Sequence, residues 1–224
     1  MKHSITRSIE QIRKEMEKAA LASGRQTGDI TLVAVSKKQP DDRIDAALEA
    51  GLRVFGENRV QEAEERWGHR RNALPDLTLR LIGPLQTNKA GQAVALFDVI
   101  ETLDREKLAR VLADEMEKQG RKPDCLIQVN TGEEEQKSGI PPREAVSFSR
   151  FCSEDLGLRI KGFMCIPPIS EEAAMHFALL AKLGREAGLP QLSMGMSADF
   201  AEAIRFGSTH VRVGSALFGE RPGA

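Results

Sequence analysis

The chain has no tyrosine, a single tryptophan and few aromatic residues of any kind, 4% of 224. Its three cysteines, Cys125, Cys152 and Cys165, are odd in number, far apart and without C-x-x-C spacing. That excludes a disulfide scaffold and a local metal knuckle, and fits reduced thiols. The histidines, His3, His69, His176 and His210, show neither H-x-x-x-H spacing nor clustering with carboxylates, so a metal site has no support. Neither sign of charge is in excess: 32 Lys and Arg against 33 Asp and Glu leave a formal charge of -1. No global field draws such a chain to nucleic acid or to an anionic membrane. No apolar run approaches the ~18 residues of a membrane span, and the first residues, MKHSITRSIEQIRKEMEKAA, carry no apolar signal core. A cytoplasmic protein is the expectation. G-x-S-x-G and G-x-G-x-x-G are both absent, which removes the nucleophile elbow and the dinucleotide fingerprint.

What is present is an ordinary globular composition, 41% hydrophobic and 29% charged. Ile5, Ile9, Ile12, Met16, Ala19 and Ala20 recur at spacings of three and four, one apolar stripe on a helix suited to lie over a barrel or sheet. From Thr31 the rhythm changes to short Val/Ile/Leu runs alternating with helical stretches, the βα pattern. Strands are predicted at 31–36, 53–56, 79–83, 99–102, 125–130, 160–166, 191–194 and 211–216. Helices are predicted at 42–50, 58–67, 105–119, 142–152, 171–186 and 198–206, several stopping at a glycine. The expected fold is α/β, a single (β/α)8 TIM barrel with an extra N-terminal helix. Residues 1–224 form one domain, with the helix in 1–24 and the barrel in 31–219. An open doubly wound sheet is the rival, without its fingerprint.

Chemistry in such a barrel collects at the C-terminal strand ends. Strand alternation places Lys37 on the face of Val33 and Val35, at the exit of the first strand. It is either a partly desolvated amine able to form a Schiff base with an aldehyde, or a strand-end lysine in water. In Met194-Gly195-Met196-Ser197-Ala198-Asp199, Ser197 reads as a helix N-cap, whose neighbouring amides either receive a phosphate or only start a helix. In the last strand Arg212 and Gly214 share the face opposite Val211 and Val213, so Arg212 points inward and needs a partner, a ligand ring nitrogen or a structural carboxylate. Lysine, phosphate-binding backbone and arginine together would hold pyridoxal 5′-phosphate. A permanently cationic arginine at the ring nitrogen disfavours its protonation and weakens the ring as an electron sink. Asn58, after the second strand, could touch the cofactor. Lys137 could add charge at the mouth, or with the acidic run 133–135 simply be a solvated loop.

Those residues lie in blocks through which the sequence resembles the YggS/PROSC family of pyridoxal phosphate homeostasis proteins: AVSKKQP (34–40), FGENRVQE (55–62), LIGPLQTNK (81–89), QKSGI (136–140), GFMCIP (162–167), LSMGMSADFAEAI (192–204) and GSTHVRVGSALFG (207–219). The resemblance implies a barrel like the N-terminal domain of alanine racemase, a monomer that binds pyridoxal phosphate and buffers or delivers it, possible recipients being apo-enzymes that use the cofactor. By matching position it implies Lys37 as the Schiff-base lysine and Arg212 facing the pyridine nitrogen. Ser197, Gly214 and Ser215 hold the phosphate, Asn58 lies near the ring and Met196 lines the pocket. Three residues depart from the family pattern: Arg80 where histidine is common, Arg59 where tyrosine is frequent, and Ser215 where threonine is usual. Serine keeps the hydroxyl; the two arginines are expected to change charge at the mouth, where Lys38 also lies, or on a partner surface.

The alternatives are a racemase using the same cofactor and a Schiff-base lyase without it. A two-base racemase of this resemblance takes its second base, a tyrosine, from a following β domain. The sequence has no tyrosine and ends at Ala224, just after the last predicted strand, so a solvent-open mouth and at most weak racemisation are expected. The lyase lacks an acid/base partner beside Lys37.

Overall fold

A computed structural model describes residues 2–219. Eight strands, β1 (Thr31–Val35), β2 (Val54–Glu57), β3 (Thr78–Leu81), β4 (Val99–Leu103), β5 (Asp124–Val129), β6 (Ile160–Cys165), β7 (Gln191–Met196) and β8 (His210–Val213), pair in parallel and in sequence order. β1 pairs with both β2 and β8, which closes the barrel. Around it run α1 (Lys2–Ala22), α2 (Asp41–Glu49), α3 (Val60–Arg71), α4 (Ala90–Leu96), α5 (Glu106–Gln119), α6 (Pro142–Arg150), α7 (Ala173–Ala187), α8 (Phe200–Arg205) and α9 (Ser215–Phe218). The (β/α)8 expectation holds, with the extra N-terminal helix. No helix among the described residues is long and apolar enough to cross a membrane.

Strand alternation divides the buried residues into two populations. Ala34, Phe55, Leu79, Leu81, Ile100, Ile127, Phe163, Val211 and Val213 face outward and form one continuous core with the helices. Inside the barrel lies a separate small apolar cluster, Val99, Leu126 and Met164. Two residues beyond Val99 on the same strand face stands Glu101, and the interior turns polar.

The stripe from Ile5 to Ala20 is buried, as its spacing requires, and packs α1 against α2, α8 and α9 in the outer helical layer. Left-handed glycines end α5 (Gly120, φ 62) and α7 (Gly188, φ 67), removing the steric cost another residue would bear there.

The structure corrects several boundaries. The last strand stops at Val213, and Ser215 and Ala216 are helical, because Gly214 turns the chain into α9. α4 was not predicted: AGQAVAL is seven residues without a charge, too short to display a polar face. α3 starts at Val60 rather than at Asn58 and runs on to Arg71. The regular part of α6 ends at Arg150, and a wider turn, Phe151–Asp155, carries Cys152.

Gly162 on β6 has the tightest surroundings of the described glycines: a Cβ built there would lie 1.8 Å from the carbonyl oxygen of Gln191. Gly162→Ala is therefore expected to lower stability by about 2–3 kcal/mol, because strand backbone rather than a flexible side chain must move. Urea unfolding measures this; an unchanged midpoint would contradict the β6–β7 register.

Candidate functional site

The predicted residues gather at the C-terminal ends of four consecutive strands, β7, β8, β1 and β2. Met196 is the register partner of Arg212 across β7 and β8. Val33 and Ala34 of β1 pair with Arg212 and Val213, and half-buried Lys37 follows two residues after β1 ends. Asn58 leaves β2, its Oδ1 buried and without a hydrogen-bond partner among the described residues. Ser215 is exposed at the first position of α9.

Ser197 is not the cap it was expected to be. Asp199 occupies the N-cap position of α8 without a side-chain capping bond, and its carboxylate instead accepts the Met196 amide at 2.6 Å. Gly195, at φ 90, swings β7 over α8 and makes this turn possible. Ser197 is thereby freed toward β8, and its Oγ accepts the amides of Gly214 at 3.3 Å and Ala216 at 3.4 Å. Two backbone donors converge on one oxygen, the arrangement that receives an oxyanion. Gly214 lies against Val35, where a Cβ would come within 3.4 Å of the valine Cβ, so the backbone is accessible because the side chain is missing.

Below this mouth lies a buried polar network. The Glu101 carboxylate accepts Arg80 Nε at 2.5 Å and Ser193 Oγ at 2.5 Å. Ser193 Oγ in turn accepts Arg212 Nη1 at 2.8 Å, and Arg212 Nη2 donates to the Cys165 carbonyl at 2.8 Å. β4 and β7 are not neighbours, so the Glu101–Ser193 bond spans the barrel interior. Arg212 is thus anchored at both terminal nitrogens, which fixes the plane of its guanidinium. Burial by itself would push the Glu101 carboxyl up, but Arg80, Arg212 and the Ser193 hydroxyl together hold it below the ordinary carboxylate range. His210, register partner of Ser193, is driven down to about 4 by burial first and then by the two arginines, against the pull of Glu101. The interior at neutral pH therefore holds two cations, one carboxylate and a neutral imidazole.

Arg80 is 4% exposed inside the barrel, so it alters neither the mouth nor a partner surface, contrary to expectation. Its Nη2 has no partner among the described residues. Arg59 does lie on the surface, near Glu62. Lys137 is not simply solvated: it pairs with Glu134 at 2.5 Å and reaches the Pro167 carbonyl at 3.5 Å, tying the β5 loop to the β6 loop. Lys38 is exposed, with φ 56.

Glu57, Glu101, Ser193 and His210 were not anticipated. The readable signals were a lone carboxylate within the apolar run Val99–Leu103 and the requirement that an inward Arg212 have a partner. His210 generates a pH prediction. A base whose folded pKa lies below its unfolded value of 6.5 adds stability above the unfolded pKa and loses it as pH falls toward the folded one. Between pH 6.5 and about 4 this loss approaches about 3 kcal/mol. His210→Gln, compared with the parent by urea unfolding at pH 7 and pH 4.5, is expected to flatten that part of the profile; parallel profiles would contradict a neutral buried imidazole.

With this geometry in place, comparison with known proteins is specific. Residues 9–222 match the family model described as alanine racemase, N-terminal domain. The chain is 40% identical to the pyridoxal phosphate homeostasis protein of Vibrio cholerae, with 97% of each chain covered. It is similar to PipY of Synechococcus elongatus, solved without PLP (36% identity, TM-score 0.84) and with PLP bound (35% identity, TM-score 0.81), in both cases covering 96% of this chain and all of that one. Alanine racemase of Clostridium difficile shares the fold, at 15% identity and TM-score 0.77, over 98% of this chain and 57% of that enzyme. The chain belongs to the pyridoxal phosphate homeostasis family, on the fold of the alanine racemase N-terminal domain.

Proposed function

We propose that this protein binds pyridoxal 5′-phosphate and acts in its intracellular homeostasis, holding the cofactor on Lys37 and releasing it to enzymes that need it, without efficient turnover of its own. The observation that carries the reading is the convergence of Ser197 Oγ with the Gly214 and Ala216 amides, one strand from the Lys37 turn and directly above an anchored Arg212. Membership of a family whose relatives are named for pyridoxal phosphate, and a PLP-bound PipY structure, support it.

The donor set fits each part of the cofactor. The amides of Gly214 and Ala216, with the hydroxyls of Ser197 and Ser215, take the phosphate; at 3.3 and 3.4 Å the bonds to Ser197 are long and readily exchanged for bonds to an anion. Arg212 would hold the ring nitrogen, Asn58, whose Oδ1 has no partner among the described residues, and Met196 would line the ring, and the Lys37 amine would hold the carbonyl. When bound, pyridoxal phosphate supplies a reactive aldehyde and a conjugated ring that accepts electrons. Arg212 blunts the second property, because it stays charged and cannot give the ring nitrogen a proton. The chain also has no tyrosine to act as a second base. Binding and exchange are favoured over carbanion chemistry.

Purified protein given pyridoxal phosphate is expected to develop the visible band of a carbonyl joined to lysine. Borohydride should abolish the band and leave the cofactor mass on the peptide carrying Lys37, whereas Lys37→Ala should show neither change, and added D- or L-alanine should not racemise. No band at saturating cofactor overturns the binding reading; rapid racemisation overturns the carrier reading alone.

A further inference from the structure

The turn that presents Lys37 is held by a buried ion pair that none of the cofactor contacts explains. The Gln39 amide donates to the Ser36 carbonyl at 3.1 Å, so Lys37 and Lys38 are the two central residues of a tight turn. Lys38 sits there at φ 56, a left-handed conformation that a lysine adopts only against steric resistance. Arg66 of α3 grips both ends of the turn, Nη1 donating to the Ser36 carbonyl at 3.1 Å and Nη2 to the Gln39 carbonyl at 3.0 Å. Arg66 is in turn fixed by Glu57, 0% exposed, whose Oε1 accepts Arg66 Nη1 at 2.8 Å, Ser36 Oγ at 2.6 Å and Trp67 Nε1 at 3.0 Å.

A buried ion pair is a weak route to stability, since apolar residues of similar volume do as well. This one also leaves Glu57 Oε2 buried without a partner among the described residues. Its geometry suits another purpose. The planar guanidinium reaches two carbonyls and a carboxylate at once, which a lysine ammonium cannot do in fixed directions. Resting on the reading of Lys37 above, we propose that Glu57 and Arg66 are positioning residues for Lys37: they lock the strained turn 36–39 and so fix where the four-carbon stem of the reactive amine is rooted. The same pair accounts for the glutamate of FGENRVQE, a block from which only Asn58 was assigned to the cofactor.

The test uses the full chain loaded with pyridoxal phosphate, with three readouts: cofactor affinity, the pH profile of the visible band, and the rate of cofactor loss to a carbonyl scavenger. Glu57→Gln removes the charge that fixes Arg66. Arg66→Lys keeps the charge but not the grip on two carbonyls, and serves if Glu57→Gln fails to fold. Both are expected to weaken cofactor binding about tenfold to a hundredfold through misplacement of the amine, with a displaced pH profile and borohydride still trapping Lys37. Lys38→Asn, which tolerates the left-handed conformation, should recover much of that loss when combined with either variant. Wild-type affinity, pH profile and release rate in Glu57→Gln or Arg66→Lys overturn the proposal. So does a loss that tracks urea stability and is not recovered by Lys38→Asn, which identifies a structural pair. Trapping of the wild type on a lysine other than Lys37 overturns the underlying site instead, and is read separately from the peptide map.

Discussion

The structure turns on a carboxylate buried inside a barrel. Glu101 is 0% exposed and binds Arg80 directly and Arg212 through Ser193, across a lumen that also holds the small apolar cluster Val99, Leu126 and Met164. Without Glu101 two guanidinium groups would face each other in low dielectric; without the arginines the carboxylate would be stranded, and breaking such a pair costs about 3–5 kcal/mol. The network therefore fixes the plane and height of Arg212, and with them the floor of the mouth. His210 stays neutral in this field and adds no further charge.

The wall of the site depends on that floor. With Arg212 anchored, β8 delivers Gly214 and the start of α9 at a set height, and Ser197 crosses from β7 to meet their amides. On the other side of β8, β1 delivers the Lys37 turn, gripped from behind by Arg66 and Glu57. Rigid strands carry the buried polar groups, while the Lys37 amine and the Gly214 and Ala216 amides stand on the turns and the helix start that follow the strands, where the barrel architecture favours binding.

Much of this was readable in the sequence because strand parity is a strict rule. The valines around Arg212 faced the helices, so the arginine faced inward and needed a partner, and the structure supplies one. Which partner was not readable: Ser193 lies on the neighbouring strand and the carboxylate behind it, Glu101, 111 positions away in sequence. Ser197 was read as a cap because Ser before Ala-Asp-Phe satisfies the local rule. The rule lost to Asp199 and to the left-handed Gly195, both of which act through tertiary geometry. Arg80 was expected at the mouth or on a partner surface only because it departs from the family pattern, where histidine is common. Here an interior carboxylate made burial tolerable.

On the proposed reading, a permanently cationic Arg212, tied to Glu101 through Ser193, would keep the ring nitrogen of a bound cofactor unprotonated and so favour holding pyridoxal phosphate over carbanion chemistry. The direct measurement is the nitrogen NMR shift of ring-labelled pyridoxal phosphate bound to the full chain, followed from pH 6 to pH 9. A resonance that stays at the unprotonated position throughout is the predicted result. A protonated ring nitrogen at neutral pH would contradict this role of Arg212.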